Sequence, residues 1–173
     1  MRVAILADTH GHLDSRVADA VAECDLAVHG GDIGNADVFA RLRPRQGRVI
    51  AVTGNNDTPQ RWPECDRRLL ADLPEVAEIP LPGGCLAVIH GHQTPARDRH
   101  GRLRKRFPHA RAVVYGHSHR LAADRDASPW LLNPGAAGRA RTFGGPSCII
   151  LTVSALMWEL EIRRFARPVR SRR

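Results

Sequence analysis

The chain has 173 residues, 43% apolar and 25% charged. That is enough to bury a core as one domain, and the composition excludes disordered, collagen-like and coiled-coil chains. No apolar run approaches the ~20 residues that cross a bilayer, and the N-terminal apolar stretch stops at Asp8, short of a signal-peptide core of about 7–15 residues, so a soluble cytoplasmic protein is expected.

Residues 2–7 are aliphatic and β-branched and end at Asp8-Thr9-His10-Gly11, which reads as a buried strand entering a loop. Asp14 or Ser15 caps a helix through Glu23, with Val17, Ala18, Val21 and Ala22 at helical spacing. Residues 26–28 form a second strand ending at His29-Gly30-Gly31-Asp32, and Asn35 or Asp37 opens a helix to about Leu42. A third strand, 49–52, ends at Thr53-Gly54-Asn55-Asn56-Asp57. Alternation of short strands and helices argues for parallel βαβ units.

Residues 77–82 and 85–89 flank Gly83-Gly84 as a hairpin, and the second strand ends at His90-Gly91-His92. A basic helix over 97–107 stops before Pro108, with His100 and His109 facing solvent. Residues 112–115 form a strand ending at Gly116-His117-Ser118-His119, and 130–132 run into Asn133-Pro134-Gly135. Residues 139–146 are the expected mobile loop, and 148–153 with 156–162 a terminal hairpin. Cys24, Cys65, Cys85 and Cys148 contain no CxxC pair, which excludes zinc-ribbon and thioredoxin motifs and leaves free thiols.

The net charge of +8 comes from 26 cations and 18 acids, and all the cations but Lys105 are arginine. Coding bias explains such a skew as readily as phosphate recognition. Seven cations lie within 97–111 and six within 163–173: a solvated face plus a tail, or a basic surface for polyanions that lacks interleaved aromatics. The charge is read as a modest bias toward anionic substrates.

Five apolar strands therefore end in short loops rich in Asp, Asn, His and Gly. In open α/β sheets, the carboxyl ends of strands form the ligand crevice. Singly, each loop is an ordinary turn. Jointly, five strand ends bearing metal-competent side chains, with the paired imidazoles of His117-x-His119, point to a metal site. Carboxylates, imidazoles and an amide without thiolate suit Mn(II), Fe(II), Zn(II), Ni(II) or Mg(II).

Asp8-x-His10, Gly31-Asp32, Gly54-Asn55-x-Asp57, His90 and Gly116-His117-x-His119 resemble, in that order, the motifs of calcineurin-like metallophosphoesterases. The short length and Asn133-Pro134-Gly135 are similar to the family's small bacterial and archaeal phosphodiesterase branch. The resemblance implies an α/β fold, a four-layer αββα sandwich of two mixed β-sheets flanked by helices, over 1–162, with 163–173 a basic C-terminal tail. It implies two divalent metal ions, Mn2+ foremost: Asp8, His10, Asp32 and His119 hold one, and Asp32, Asn55, His90 and His117 the other. It also implies hydrolysis of phosphodiesters, and less efficiently phosphomonoesters, by a metal-activated hydroxide, with a small phosphoester as partner and no membrane. Asn56, Asp57 and Arg120 are the catalytic-loop candidates, Asp57 as the group orienting its loop and Arg120 as a stabiliser of phosphoryl charge. Many relatives carry His where Asn56 stands, and an amide cannot serve as a general acid. His92, His12 and Asn133 are candidates for the substrate pocket, and His29 is a donor behind the ligands or a packed core histidine. Two rival functions remain: a non-catalytic scaffold on the same fold, as in a eukaryotic trafficking subunit, and a nucleic-acid enzyme or binder using the arginine segments.

Overall fold

In the computed structural model, which describes residues 1–167, strand β1 (Arg2–Leu6) turns Val3 and Ile5 to one side and Ala4 and Leu6 to the other, the two-residue period of extended chain. Both sides are apolar because both are covered. One sheet has the order β10 (Trp158–Arg164), β9 (Ser147–Val153), β1, β2 (Leu26–His29), β3 (Arg48–Ala51). The other has the order β4 (Val76–Leu81), β5 (Gly84–Ile89), β6 (Ala112–Val114), β8 (Trp130–Asn133), β7 (Ala122–Asp124). The face holding Val3, Ile5, Leu26, Val28, Ile149 and Leu151 packs against Leu86, Val88, Val114 and Leu132 of the second sheet. Helices α1 (Ser15–Ala22), α2 (Ala36–Arg41) and α3 (Arg67–Ala71) cover the first sheet through Val17, Val21, Val38 and Leu70. Helix α4 (Arg99–Arg106) covers the second through Leu103, beside Phe107. The result is the four-layer αββα sandwich.

Local rules explain the element ends. The Asp14 carboxylate accepts from Arg16 N at 3.0 Å and the Asn35 amide oxygen from Val38 N at 3.3 Å, each satisfying a helix N–H that lacks an intrahelical partner. Strands β1, β2 and β3 run parallel with Leu6 opposite His29 and His29 opposite Ala51. The loops carrying Asp8, Asp32 and Asn55 therefore leave the sheet side by side. Strands β5, β6 and β8 are also parallel, which sends the loops of His90 and His117 to the same rim.

Several expectations are corrected. Leu156 lies in the turn before β10 and is 92% exposed; the hairpin strand begins at Trp158, whose indole donates to Pro82 O at 2.7 Å. Gly84 belongs to β5 rather than to the turn. A 3-10 turn over Ala96–Asp98 precedes α4. Strand β7, helix α3 and the 3-10 turn Glu64–Asp66 were not anticipated. His100 is half-buried between Tyr115 Oη at 2.8 Å and Asp124 Oδ2 at 3.0 Å, not simply solvent-facing. Strand β10 continues to Arg164, two residues into the expected tail, and 168–173 lie outside the described residues. Among the described residues, no helix is long and apolar enough to cross a membrane.

Candidate metal centre

Six non-glycine residues have positive φ among the described residues, and five of them are predicted ligands: Asp8 (56°), His10 (47°), Asp32 (57°), His117 (65°) and His119 (57°). Left-handed backbone costs an L-residue roughly 1–2 kcal/mol, so its concentration here marks a place where surrounding structure overrides local preference. The overriding contacts are visible. Asp8 N donates to Gly31 O at 3.0 Å and His10 N to Asp32 O at 2.9 Å, so the first two loops prolong the β1–β2 pairing past the sheet. A Cβ on Gly54 would collide with the Asp32 carboxylate, and one on Gly31 would lie 2.7 Å from His90 Nδ1. Only glycine lets these loops close around the acid.

One oxygen or nitrogen from each of Asp8, His10, Asp32 and His119 lies within 4.8 Å of the others. His119 Nε2 is 3.3 Å from Asp8 Oδ1 and 3.1 Å from His10 Nε2, and the two imidazoles stack with centroids 5.0 Å apart. On the other side of Asp32, His90 Nε2 stands 3.4 Å from Asp32 Oδ2 and 4.0 Å from Asp8 Oδ1. His117 Nδ1 lies 2.9 Å from Asn55 Oδ1, and its ring is edge-on to His90 at 5.4 Å. Thus the seven predicted ligands form one chain of contacts, in which Asp32 Oδ2 is approached by both His10 (3.8 Å) and His90 (3.4 Å).

Three imidazoles are aimed from behind. His90 Nδ1 donates to Gly30 O at 2.8 Å and His119 Nδ1 to Ala140 O at 3.1 Å, so each presents Nε2 to the carboxylates. Buried His29 accepts from Gly31 N at Nδ1 (3.2 Å), which leaves its Nε2–H for Thr9 Oγ1 at 2.9 Å. Thr9 in turn donates to Ile33 O at 2.9 Å. This chain pins the Asp32 loop.

Burial, reinforced by the charge of Asp32, pushes Asp8 up to about 7 against the lowering effect of His90. Burial would raise Asp32 too, yet the proximity and charge of His90 and two hydrogen bonds from Asn56 hold it well below the usual carboxylate range. Burial pushes His29 down to about 3 and His119 to about 4, the latter helped by Arg141 and His10 and opposed by the Ala140 carbonyl. Burial also opposes charge on His90, but contact with Asp32 and the charges of Asp32 and Asp8 outweigh it and raise His90.

Asp8 Oδ2 and His90 Nε2 are both buried and neither has a hydrogen-bond partner. Two carboxylates at 0% and 1% exposure beside orphaned polar atoms are costly unless a cation neutralises them. Oxygen and imidazole donors without thiolate suit a divalent metal of the manganese-to-zinc series. The residues fit the group.

The remaining predicted residues take other places. The Asn56 backbone N–H and amide donate to Asp32 Oδ1 and Oδ2 at 2.8 and 2.6 Å, and its amide oxygen accepts from Arg61. It grips Asp32 and is not open toward a leaving group. Asp57 takes N–H groups from Ile33, Gly34 and Gly54 at 2.8–3.1 Å and from the Trp62 indole at 2.9 Å, so it ties the loop after β2 to its own loop after β3. The Arg120 guanidinium lies 4.5 Å over the Phe143 ring. Asn133 does not line the pocket: fully buried, it donates to Gly116 O at 2.9 Å and Ser118 Oγ at 3.0 Å. His92 is exposed at the rim, its ring 5.6 Å from His90 and 6.2 Å from His117. His12 lines a neighbouring cleft of about 1070 Å³. The arginine at the metal cluster is one that sequence reasoning missed: Arg141, with φ 50°, whose Nη2 is 3.0 Å from His119 Nε2.

A family model described as a calcineurin-like phosphoesterase superfamily domain matches residues 1–156. A probable metallophosphoesterase of Methanothermobacter thermautotrophicus is 25% identical over 98% of this chain and 95% of its own length. Among solved structures, Vps29 of Entamoeba histolytica complexed with Zn2+ is 17% identical, with a TM-score of 0.71 over 95% of this chain and 98% of that one. A structure described as a novel archaeal phosphodiesterase is 19% identical, with a TM-score of 0.68 over 94% and 100%.

Proposed function

Because the chain belongs to the calcineurin-like phosphoesterase superfamily, a metal-dependent hydrolase family, we propose that it is a binuclear phosphodiesterase with Asp32 bridging two divalent cations. One observation carries the reading: Asp8 Oδ2 and His90 Nε2, buried and without partners, stand beside an Asp32 carboxylate that already accepts from Asn56. Asp8, His10, Asp32 and His119 would hold one ion, and Asp32, Asn55, His90 and His117 the second. Mn2+ leads the candidates, with Fe2+, Ni2+, Zn2+ and Mg2+ also compatible. Bound there, such ions lower the pKa of water toward ~7 and withdraw charge from a phosphoryl group.

The protein's own contribution is preorganisation. Gly30 and Ala140 carbonyls fix the His90 and His119 rings, Asn56 fixes Asp32, and Asp57 and Asn133 fix the loops. With Asn56 committed to Asp32, no general acid from its loop reaches the leaving oxygen. Aryl diesters, whose leaving groups depart without a proton, should therefore react far faster than alkyl monoesters. The likeness to the archaeal phosphodiesterase supports the diester preference. The substrate would be a small phosphoester, and the four free cysteines suit a cytoplasmic location.

The test is hydrolysis of bis(4-nitrophenyl) phosphate and of glycerol phosphate with Mn2+ and with chelator. Turnover that needs metal and strongly favours the diester is expected. No metal-dependent turnover, together with tight binding of a protein partner, would overturn the proposal in favour of a scaffold.

A further inference from the structure

Next to the metal cluster, on its His119 side, the chain opens into the cleft of about 1070 Å³ lined by Arg41, Arg139, Arg141, Arg167, His12 and Asp14 among others. Four guanidiniums around one concavity repel one another. Among the described lining residues the carboxylate is Asp14, already engaged by Arg16 through Nε and Nη2, both at 2.9 Å. Among the described residues, Arg41 and Arg139 form no ion pair. Arg167 is anchored by Nε and Nη2, which donate to Thr142 O at 3.1 and 2.7 Å. Arg141 joins the two regions, since it both lines the cleft and reaches His119.

We propose that this cleft binds a second phosphate of the substrate, so that the preferred diester carries a further phosphate group on one arm. The proposal rests on the phosphoesterase reading above and names the class of substrate. Guanidinium forks match phosphate oxygens in pairs, and charge-assisted bonds of this kind are among the strongest available to a protein. The lining contains no Phe, Tyr or Trp, so it offers no platform for stacked bases. That favours a phosphate-bearing small molecule over a nucleic-acid strand.

The experiment titrates sodium tripolyphosphate into metal-free protein by calorimetry. It compares wild type, Arg41→Gln/Arg139→Gln, the charge-matched Arg102→Gln/Lys105→Gln on α4, and Asp32→Asn, with thermal melts confirming that each is folded. The cleft variant should lose about tenfold or more in affinity, while the α4 variant and Asp32→Asn stay close to wild type. Equal losses in both double variants, no binding by wild type, or tighter binding of a short oligonucleotide than of tripolyphosphate would each overturn the proposal. Turnover of bis(4-nitrophenyl) phosphate without tripolyphosphate binding would remove this inference alone. Binding without turnover would remove the phosphoesterase reading and leave an anion cleft.

Discussion

The two sheets contribute unlike halves to the centre. The sheet containing β1, β2 and β3 supplies both carboxylates, with His10 and Asn55, whereas the sheet containing β5 and β6 supplies His90, His117 and His119. Each half has its own buried brace: Asp57 gathers N–H groups on the acidic side, and Asn133 ties Gly116 and Ser118 on the imidazole side. Neither half holds all seven residues alone. The centre exists only while the apolar layer between the sheets holds them in register, so ordinary core packing becomes a condition of metal affinity.

The largest break should come at Asp32, which the proposed function assigns to both metal positions. Asp32→Asn is expected to lower metal-dependent kcat by at least about 10³-fold, and the metal-free protein should melt lower, because Asn56 and His90 lose the carboxylate that they stabilise; steady-state kinetics and calorimetry check both. Next, Leu86→Ala opens a cavity between the sheets and should cost about 2–5 kcal/mol in denaturant unfolding. It should also weaken Mn2+ binding although Leu86 touches no ligand. Retained metal affinity would show that the halves do not depend on the layer between them.

The braces should differ. Asp57→Ala leaves four buried donors without an acceptor and should cost about 3 kcal/mol, more than Asn133→Ala, which strands fewer groups. Urea midpoints of the two variants measure the asymmetry directly.

The smallest effect is a pH dependence that changes sign with metal. In metal-free protein, folding raises Asp8 to about 7, so the folded state binds a proton that the unfolded state has released. Its contribution to stability therefore falls as pH rises from the ordinary carboxylate range to about 7, and is flat above. Buried His29 and His119 act oppositely: with folded values near 3 and 4, they remove stability as pH falls below their ordinary range. Subtracting Asp8→Asn melts from wild type isolates the carboxylate, and the variant should gain steadily on wild type between pH 4 and 7. Loading Mn2+ should reverse that advantage.

Much of this arrangement was legible in the chain. Each apolar run that stops at Asp, Asn, His and Gly is a strand end, and Asp14 and Asn35 announce their helices by capping chemistry. What escaped depends on tertiary contact. Asp and His enter the left-handed region more readily than most residues, but nothing local says that Asp8, His10 and His119 must; the loops impose it once paired. The engagement of Asn56 with Asp32 depends on the β2–β3 register, and Arg141 reaches His119 because the loop at 139–146 folds back beside the cluster. Strand β7, three residues of Ala-Ala-Asp, has too little apolar pattern to announce an edge strand.

The most direct test is a crystal structure of the protein grown with Mn2+, read by anomalous scattering. Two peaks roughly 3.5–4 Å apart with the Asp32 carboxylate between them are predicted, one beside His10 and His119 and the other beside His90 and His117. A single peak, or none with those imidazoles turned outward, would contradict the account.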